Sequence, residues 1–123
     1  MKKPNRAVEP QSVEVRTART FRREFKRLLK KYPSLEADVL ELSKQLQQNP
    51  QLGESLGGNC YKIRLAIRSK GQGKSGGARV ITLVVLAEAA VTLVTMYDKS
   101  EKEDLLPGEL DALLAGLTGP GTT

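Results

Sequence analysis

With 123 residues the chain has enough polypeptide for one modest core, since chains of this size bury roughly two-thirds of their unfolded surface. Its 39% hydrophobic and 28% charged residues suit a globular domain and exclude a wholly disordered one. Histidine is absent and Cys60 stands alone, which excludes Ser-His-Asp triads, histidine bases, histidine-ligated metals, intrachain disulfides and thiolate metal clusters.

The net charge of +6 is unevenly laid out. Residues 1–32 carry +8, residues 33–59 carry −3, residues 60–80 carry +6 with no acid among them, and residues 81–123 carry −5. A run of uncompensated cations calls for a polyanion or an acidic partner; the plainer reading is a solvated face.

Residues 1–12 contain Pro4 and Pro10 and few apolar side chains, and read as a flexible tail. Their basic start leads into no apolar stretch, so no secretion signal is expected, and with an unpaired cysteine the expected compartment is the cytoplasm. Residues 13–117 read as one domain. Val13 to Thr17 alternates and predicts a short strand. Phe21, Phe25, Leu28, Leu29 and Tyr32 then form one helical stripe, capped by Thr17 or Thr20 and stopped by Pro33. The opposite face carries Arg19, Arg22, Arg23, Lys26, Arg27, Lys30 and Lys31. Ser34 is the expected cap of a second helix, with Glu36 and Asp38 in its first turn, where the helix dipole favours anions. Leu35, Val39, Leu42 and Leu46 mark its buried stripe, and Asn49-Pro50 ends it. With Pro33 alone between them, the two helices should form an antiparallel hairpin.

Tyr61, Ile63, Leu65 and Ile67 alternate with Cys60, Lys62, Arg64, Ala66 and Arg68, a strand with one apolar and one cationic face. Residues 78–87 and 90–99 predict two further strands turning at Ala87-Glu88-Ala89. Val80 to Tyr97 is nearly uncharged, but its Val, Ile and Thr content and its central Glu88 favour covered central strands over a membrane helix. Ser100 to Asp104 reads as an acidic helix start. Leu105 to Leu117 reads as a C-terminal helix interrupted at Pro107-Gly108, and residues 118–123 as a second tail. Helices packed against a small sheet make an α+β fold.

Gly71-Gln72-Gly73-Lys74-Ser75-Gly76-Gly77 invites comparison with a phosphate loop, but Arg68 stands where the first glycine of that motif belongs, and a strand follows instead of a helix. Arg64, Arg68, Lys70, Lys74 and Arg79 around a glycine-rich loop suit a phosphate backbone better; the alternative is a plain basic hairpin connection.

Three segments, Cys60 to Leu65, Lys70 to Ile81 and Tyr97 to Leu105, resemble the RelE/HigB family of bacterial toxins, as does Asn49 to Gly53 leading into Leu56-Gly57-Gly58. The similarity spans roughly residues 13 to 115, and the loop is closest to the HigB-like branch. The resemblance implies a RelE/ParE-like small, mainly antiparallel sheet with an N-terminal helical hairpin on one face and a C-terminal helix. It also implies a type II toxin that enters the ribosome and cuts mRNA without metal or cofactor. A cognate antitoxin, expected to be a helix-turn-helix DNA-binding protein, would hold it inactive, its acidic segment neutralising the basic zones, and operator DNA would be met through that antitoxin. By motif match Lys62, Arg64, Arg79 and Lys99 take catalytic places, and Tyr97 stands in for a late tyrosine of the pattern, whose own position is Leu106. Ser100 replaces an arginine of the pattern. Arg68, Lys70 and Lys74 are expected to bind RNA, and no membrane partner is expected.

Cleavage by the RNA's own 2′-hydroxyl needs in-line geometry, charge stabilisation and proton transfer at both ends. Arg64 and Arg79 suit the second need, because a guanidinium fork holds phosphate oxygens and stays charged. Lys62 or Lys99 would serve as base if crowded by other cations, and Tyr97 would orient, donate a proton or stack on a base. The competing readings are a solvated strand face for Lys62 and a core-edge aromatic for Tyr97. On this reading Arg64→Ala and Arg79→Ala abolish toxicity with little change in thermal midpoint. The rival functions are a ParE-like gyrase poison, or a non-catalytic RNA- or antitoxin-binding relic.

Overall fold

A computed structural model describes residues 13–71 and 73–117; both expected tails, 1–12 and 118–123, lie outside the described residues. The elements are β1 (Glu14–Thr17), α1 (Arg19–Leu29), α2 (Leu35–Gln48), β2 (Glu54–Gly57), β3 (Cys60–Leu65), α3 (Gly73–Gly76), β4 (Ala78–Val85), β5 (Ala90–Asp98) and α4 (Glu109–Leu117). The sheet runs β1-β5-β4-β3-β2, with β1 parallel to β5 and the other pairs antiparallel. The α+β expectation holds. The stretch weighed as a membrane span is the β4–β5 hairpin at the centre of the sheet, and no described helix is long and apolar enough to cross a membrane.

Two apolar layers explain why β4 and β5 are nearly uncharged. On one face, Phe21 and Leu28 of α1 and Leu35, Leu42 and Leu46 of α2 pack on Ile63, Leu65, Val80, Val84, Val91, Leu93 and Met96. On the other, Ile81, Val94 and Tyr97 are covered by Leu105, Leu110, Leu113, Leu114 and Leu117. Leu93 and Met96 share a face despite opposite parity, because the register slips between Ile81 and Thr82: Ile81 pairs with Thr95 and Thr82 with Leu93, so Val94 is an extra residue. A bulge of this kind exchanges the faces beyond it.

Several local expectations are corrected. Ala18, not a threonine, stands at the start of α1, and Thr20 Oγ1 donates instead to the Val94 carbonyl. Ser34 precedes α2 without capping it: its hydroxyl donates to Asp38 Oδ2 at 2.7 Å and meets Ser69 Oγ at 2.9 Å. Residues 54–57, for which the sequence predicts no element, form edge strand β2, turned into β3 through Gly57, Gly58 and Asn59, all at positive φ. The cationic strand ends at Leu65, and Arg68 to Lys70 form a 3₁₀ turn. The glycine loop contains the single-turn α3. Glu101 to Asp104 do not start a helix; α4 begins only after Pro107-Gly108.

Candidate active site

The register of the sheet builds the site. Arg64 on β3 lies directly opposite Arg79 on β4, and Arg79 lies opposite Tyr97 on β5. Side chains opposite one another on adjacent strands share a face, about 5 Å apart at Cβ. Period two puts Lys62 on this face beside Arg64, and Lys99 follows Tyr97 just past the end of β5, its N–H donating to the Gly77 carbonyl at 3.0 Å. All five sequence-predicted catalytic residues therefore lie along one side of the sheet.

Lys62, Arg64, Arg68, Lys74, Arg79 and Lys99 line a single open hollow of about 890 Å³. It wraps the edge of β3 where β2 has stopped: β2 pairs with Cys60 to Lys62 and leaves Ile63 to Leu65 open. The arginines converge on one space.

Their settings differ. Arg64 is exposed and has no hydrogen bond or ion pair among the described residues, which leaves its five donors to a ligand. Arg79 is only 7% exposed; its Nη1 donates to the carbonyls of Lys74 (3.0 Å) and Ala78 (3.2 Å), and its Nη2 to that of Ser75 (3.1 Å). It is thus the clasp of α3 as well as a wall of the hollow, a packing role the sequence did not suggest. Gly77 closes this corner. A Cβ there would lie 2.1 Å from the Leu65 carbonyl oxygen, so the missing side chain serves the protein's own close approach.

Lys74 is exposed, and its ammonium has no partner among the described residues. Arg68 Nε donates to the buried Asp38 at 2.8 Å while most of its guanidinium stays open to solvent. Lys70 does not belong with them. Its side chain is 8% exposed and its Nζ lies 2.6 Å from Asp98 Oδ1, so it faces inward as a structural cation and is withdrawn from the RNA-binding set.

The cation crowding that a lysine base would need is not there. Lys62 Nζ lies 3.3 Å from Asp104 Oδ1 and 3.9 Å from Glu54, and Lys99 Nζ lies 2.9 Å from Glu103. Tyr97 is buried, and its hydroxyl donates to Asp104 Oδ1 at 3.2 Å. Burial, then the adjacent Asp104 charge, holds its hydroxyl well above the ordinary tyrosine value, so it stays protonated. Asp104 joins these groups, and sequence reasoning missed it by reading its acidic run as a helix start. The available signal was Pro107-Gly108, which separates that run from α4. The Asp104 carboxyl is held below its usual range by the Leu105 N–H, then by Lys62 and Tyr97, against some desolvation, and is ionised at neutral pH.

The hollow is lined by arginines and lysines from strands of a five-stranded α+β sheet and from the turns at their ends, in a chain without histidine. The chain belongs to the RelE toxin family of RelE/RelB toxin–antitoxin systems, whose family model matches residues 18–117. A free-state E. coli RelE toxin carrying two arginine-to-alanine mutations is similar with a TM-score of 0.55 at 16% identity, over 75% of this chain and 88% of that one. A chain of the intact E. coli RelBE toxin–antitoxin complex gives a TM-score of 0.55 at 14% identity, over 71% of this chain and 96% of that one. At such identities the likeness is one of fold.

Proposed function

We propose that this toxin is a metal-independent, ribosome-dependent mRNA endonuclease that arrests translation in the cytoplasm and is held inactive by a cognate antitoxin. The observation that carries the reading is the Arg64–Arg79 pair in register on a shared hollow, with the Arg64 guanidinium uncommitted. Two guanidinium groups on one face suit the extra charge of a pentacoordinate phosphate, and Lys74 and Arg68 extend the cationic track for neighbouring phosphates. Membership of the RelE family and the fold shared with the E. coli RelBE complex support the antitoxin partner.

In the reaction the 2′-oxygen attacks phosphorus and the bond to the 5′-oxygen breaks, leaving a 2′,3′-cyclic phosphate. Asp104, ionised and within reach of Lys62 and Tyr97, accepts the 2′-hydroxyl proton. The ammonium of Lys62 or Lys99 protonates the departing 5′-oxygen. An acid so readily ionised is a weak base, so the ribosome must supply in-line geometry, where positioning alone can supply ~7–11 kcal/mol. Asp104→Asn is expected to slow single-turnover cleavage of ribosome-bound mRNA about a hundredfold, the low end of general-base contributions. An undiminished rate removes Asp104 from proton transfer.

The deciding experiment induces the toxin in cells and maps new mRNA 5′ ends. Cuts in frame with codons in the ribosomal A site support the reading. Intact mRNA with a DNA-damage response would identify a gyrase poison, and neither response a binding relic.

A further inference from the structure

Of the five acids that line the hollow, Glu41, Glu54, Glu103 and Asp104 are exposed and Asp38 alone is buried, at 2%. An exposed carboxylate can swing aside when a phosphate arrives, whereas a buried one stays and subtracts from the local positive potential. Asp38 therefore needs a reason to be there. Its Oδ1 accepts from Arg68 Nε at 2.8 Å, and its Oδ2 accepts from the Arg68 N–H at 3.2 Å and from Ser34 Oγ at 2.7 Å. The start of α2 and the 3₁₀ turn after β3 are joined a second time: the Ser69 N–H donates to Ser34 Oγ at 2.9 Å and the Ser34 N–H to Ser69 Oγ at 3.3 Å. One carboxylate thus holds the backbone and the side chain of the same arginine against a fixed helix.

The side-chain grip is on Nε alone. Neither Nη group has a hydrogen-bond partner among the described residues, and the Arg68 side chain is 67% exposed where it lines the hollow. We propose that Asp38 is a positioning residue that holds Arg68 with its two Nη groups as a standing fork for a phosphate of an RNA strand, a different phosphate from the one at Arg64 and Arg79. A guanidinium holds phosphate through two parallel N–H bonds, and an arginine immobilised beforehand loses less side-chain freedom on binding. Lys74 is the contrast, a point charge on a flexible stem with no partner among the described residues. The pair deepens the RNA-cleavage reading by naming what orients one phosphate grip of that site. It rests on that reading for its ligand, but binding can be measured without cleavage.

The purified toxin is titrated with a short single-stranded 2′-O-methyl RNA, which lacks the attacking hydroxyl, over a range of salt. The proteins are the wild type, Arg68→Ala, Asp38→Ala, Asp38→Asn and each Asp38 variant combined with Arg68→Ala, and wild-type cuts on translating ribosomes are mapped in parallel. Arg68→Ala should weaken binding about tenfold and shrink the slope of log affinity against log salt by about 0.7, the share of one single-strand phosphate contact. By charge alone, deleting an acid from a cationic hollow should tighten RNA binding. Acting through Arg68, Asp38→Ala instead weakens it about threefold, and that loss disappears when Arg68 is already alanine. The cycle with Asp38→Asn, which keeps the volume, gives the answer where the alanine variant does not fold. No cutting by the wild type, with the coupling intact, sinks the nuclease reading and leaves the pair standing. Unchanged or tighter binding by the Asp38 variants, an equal loss with and without Arg68, or no RNA binding by the wild type at low salt overturns it.

Discussion

Asp98→Ala is expected to remove about 3–5 kcal/mol of folding stability, the usual cost of breaking a buried ion pair by deleting one partner. The carboxylate is fully buried at the end of β5 and accepts from Lys70 Nζ (2.6 Å), the Tyr32 hydroxyl (2.6 Å), Ser100 Oγ (2.7 Å) and the Ser100 N–H (3.0 Å). It joins the end of α1, the turn before α3 and the last strand at one point, and without it the Lys70 ammonium is buried with no counter-ion. Domains are stable by only about 5–15 kcal/mol, so the midpoint should fall by about 10–20 °C. Asp98→Ala combined with Lys70→Met should recover part of the loss, because the stranded charge goes too. Burial works to raise the Asp98 carboxyl, but the hydrogen bonds from Lys70, Tyr32 and Ser100 outweigh it and hold the group far below its ordinary value. A depressed folded-state value means the contribution is complete above the unfolded value near ~4 and drains away as pH falls below it. Thermal melts at pH 7 and pH 3 check this: the gap between wild type and Asp98→Ala should narrow in acid. A gap of equal size at both pH values would separate the carboxylate's charge from its structural effect.

The same network shows why parts of the site were hidden in the sequence. Period two gave Lys62 and Arg64 one face of β3, and the switch from helical to alternating patterns located α1, α2, β4 and β5 to within a few residues. These signals are local. Lys70 differs from Lys74 only through a fold-back that brings Asp98 to it from 28 residues away, and nothing in the basic loop separates the two. Strict alternation along β5 would put Leu93 and Met96 on opposite faces, and only the extra residue at Val94 reunites them. Asp104 was hidden for a related reason. An acid in a charged run is defined by which cation reaches it, and Asp104 meets Lys62 across 42 positions. Edge strand β2, four residues of Glu-Ser-Leu-Gly, has too little alternation to register as a strand and is held by pairing with β3.

Arg64→Ala and Arg79→Ala should part company, although the sequence alone suggested the same outcome for both. Arg64 is exposed and its side chain makes no hydrogen bond or ion pair among the described residues, so its loss should leave the thermal midpoint within about a degree or two, as exposed substitutions usually do. Its cost falls on catalysis. Removing one donor aimed at developing negative charge typically slows an enzyme about 10²–10³-fold, and single-turnover cleavage of ribosome-bound mRNA should fall by that factor. Arg79 carries both burdens. Its guanidinium satisfies three carbonyls at the end of α3 and the start of β4, and hydrogen bonds from a charged donor are worth about 2 kcal/mol in sum when solvent remains nearby. Arg79→Ala should therefore lower the midpoint by about 5–10 °C as well as abolish cleavage. Lysine is the sharper probe at both positions, because it restores charge without the fork. Arg64→Lys should recover part of the rate through its charge alone, and Arg79→Lys should stay defective, since one ammonium cannot reach the Lys74, Ala78 and Ser75 carbonyls in the same geometry. Full cleavage by Arg64→Ala, with RNA still bound as tightly as by wild type, would take the exposed arginine out of the chemistry and leave the hollow as a binding surface.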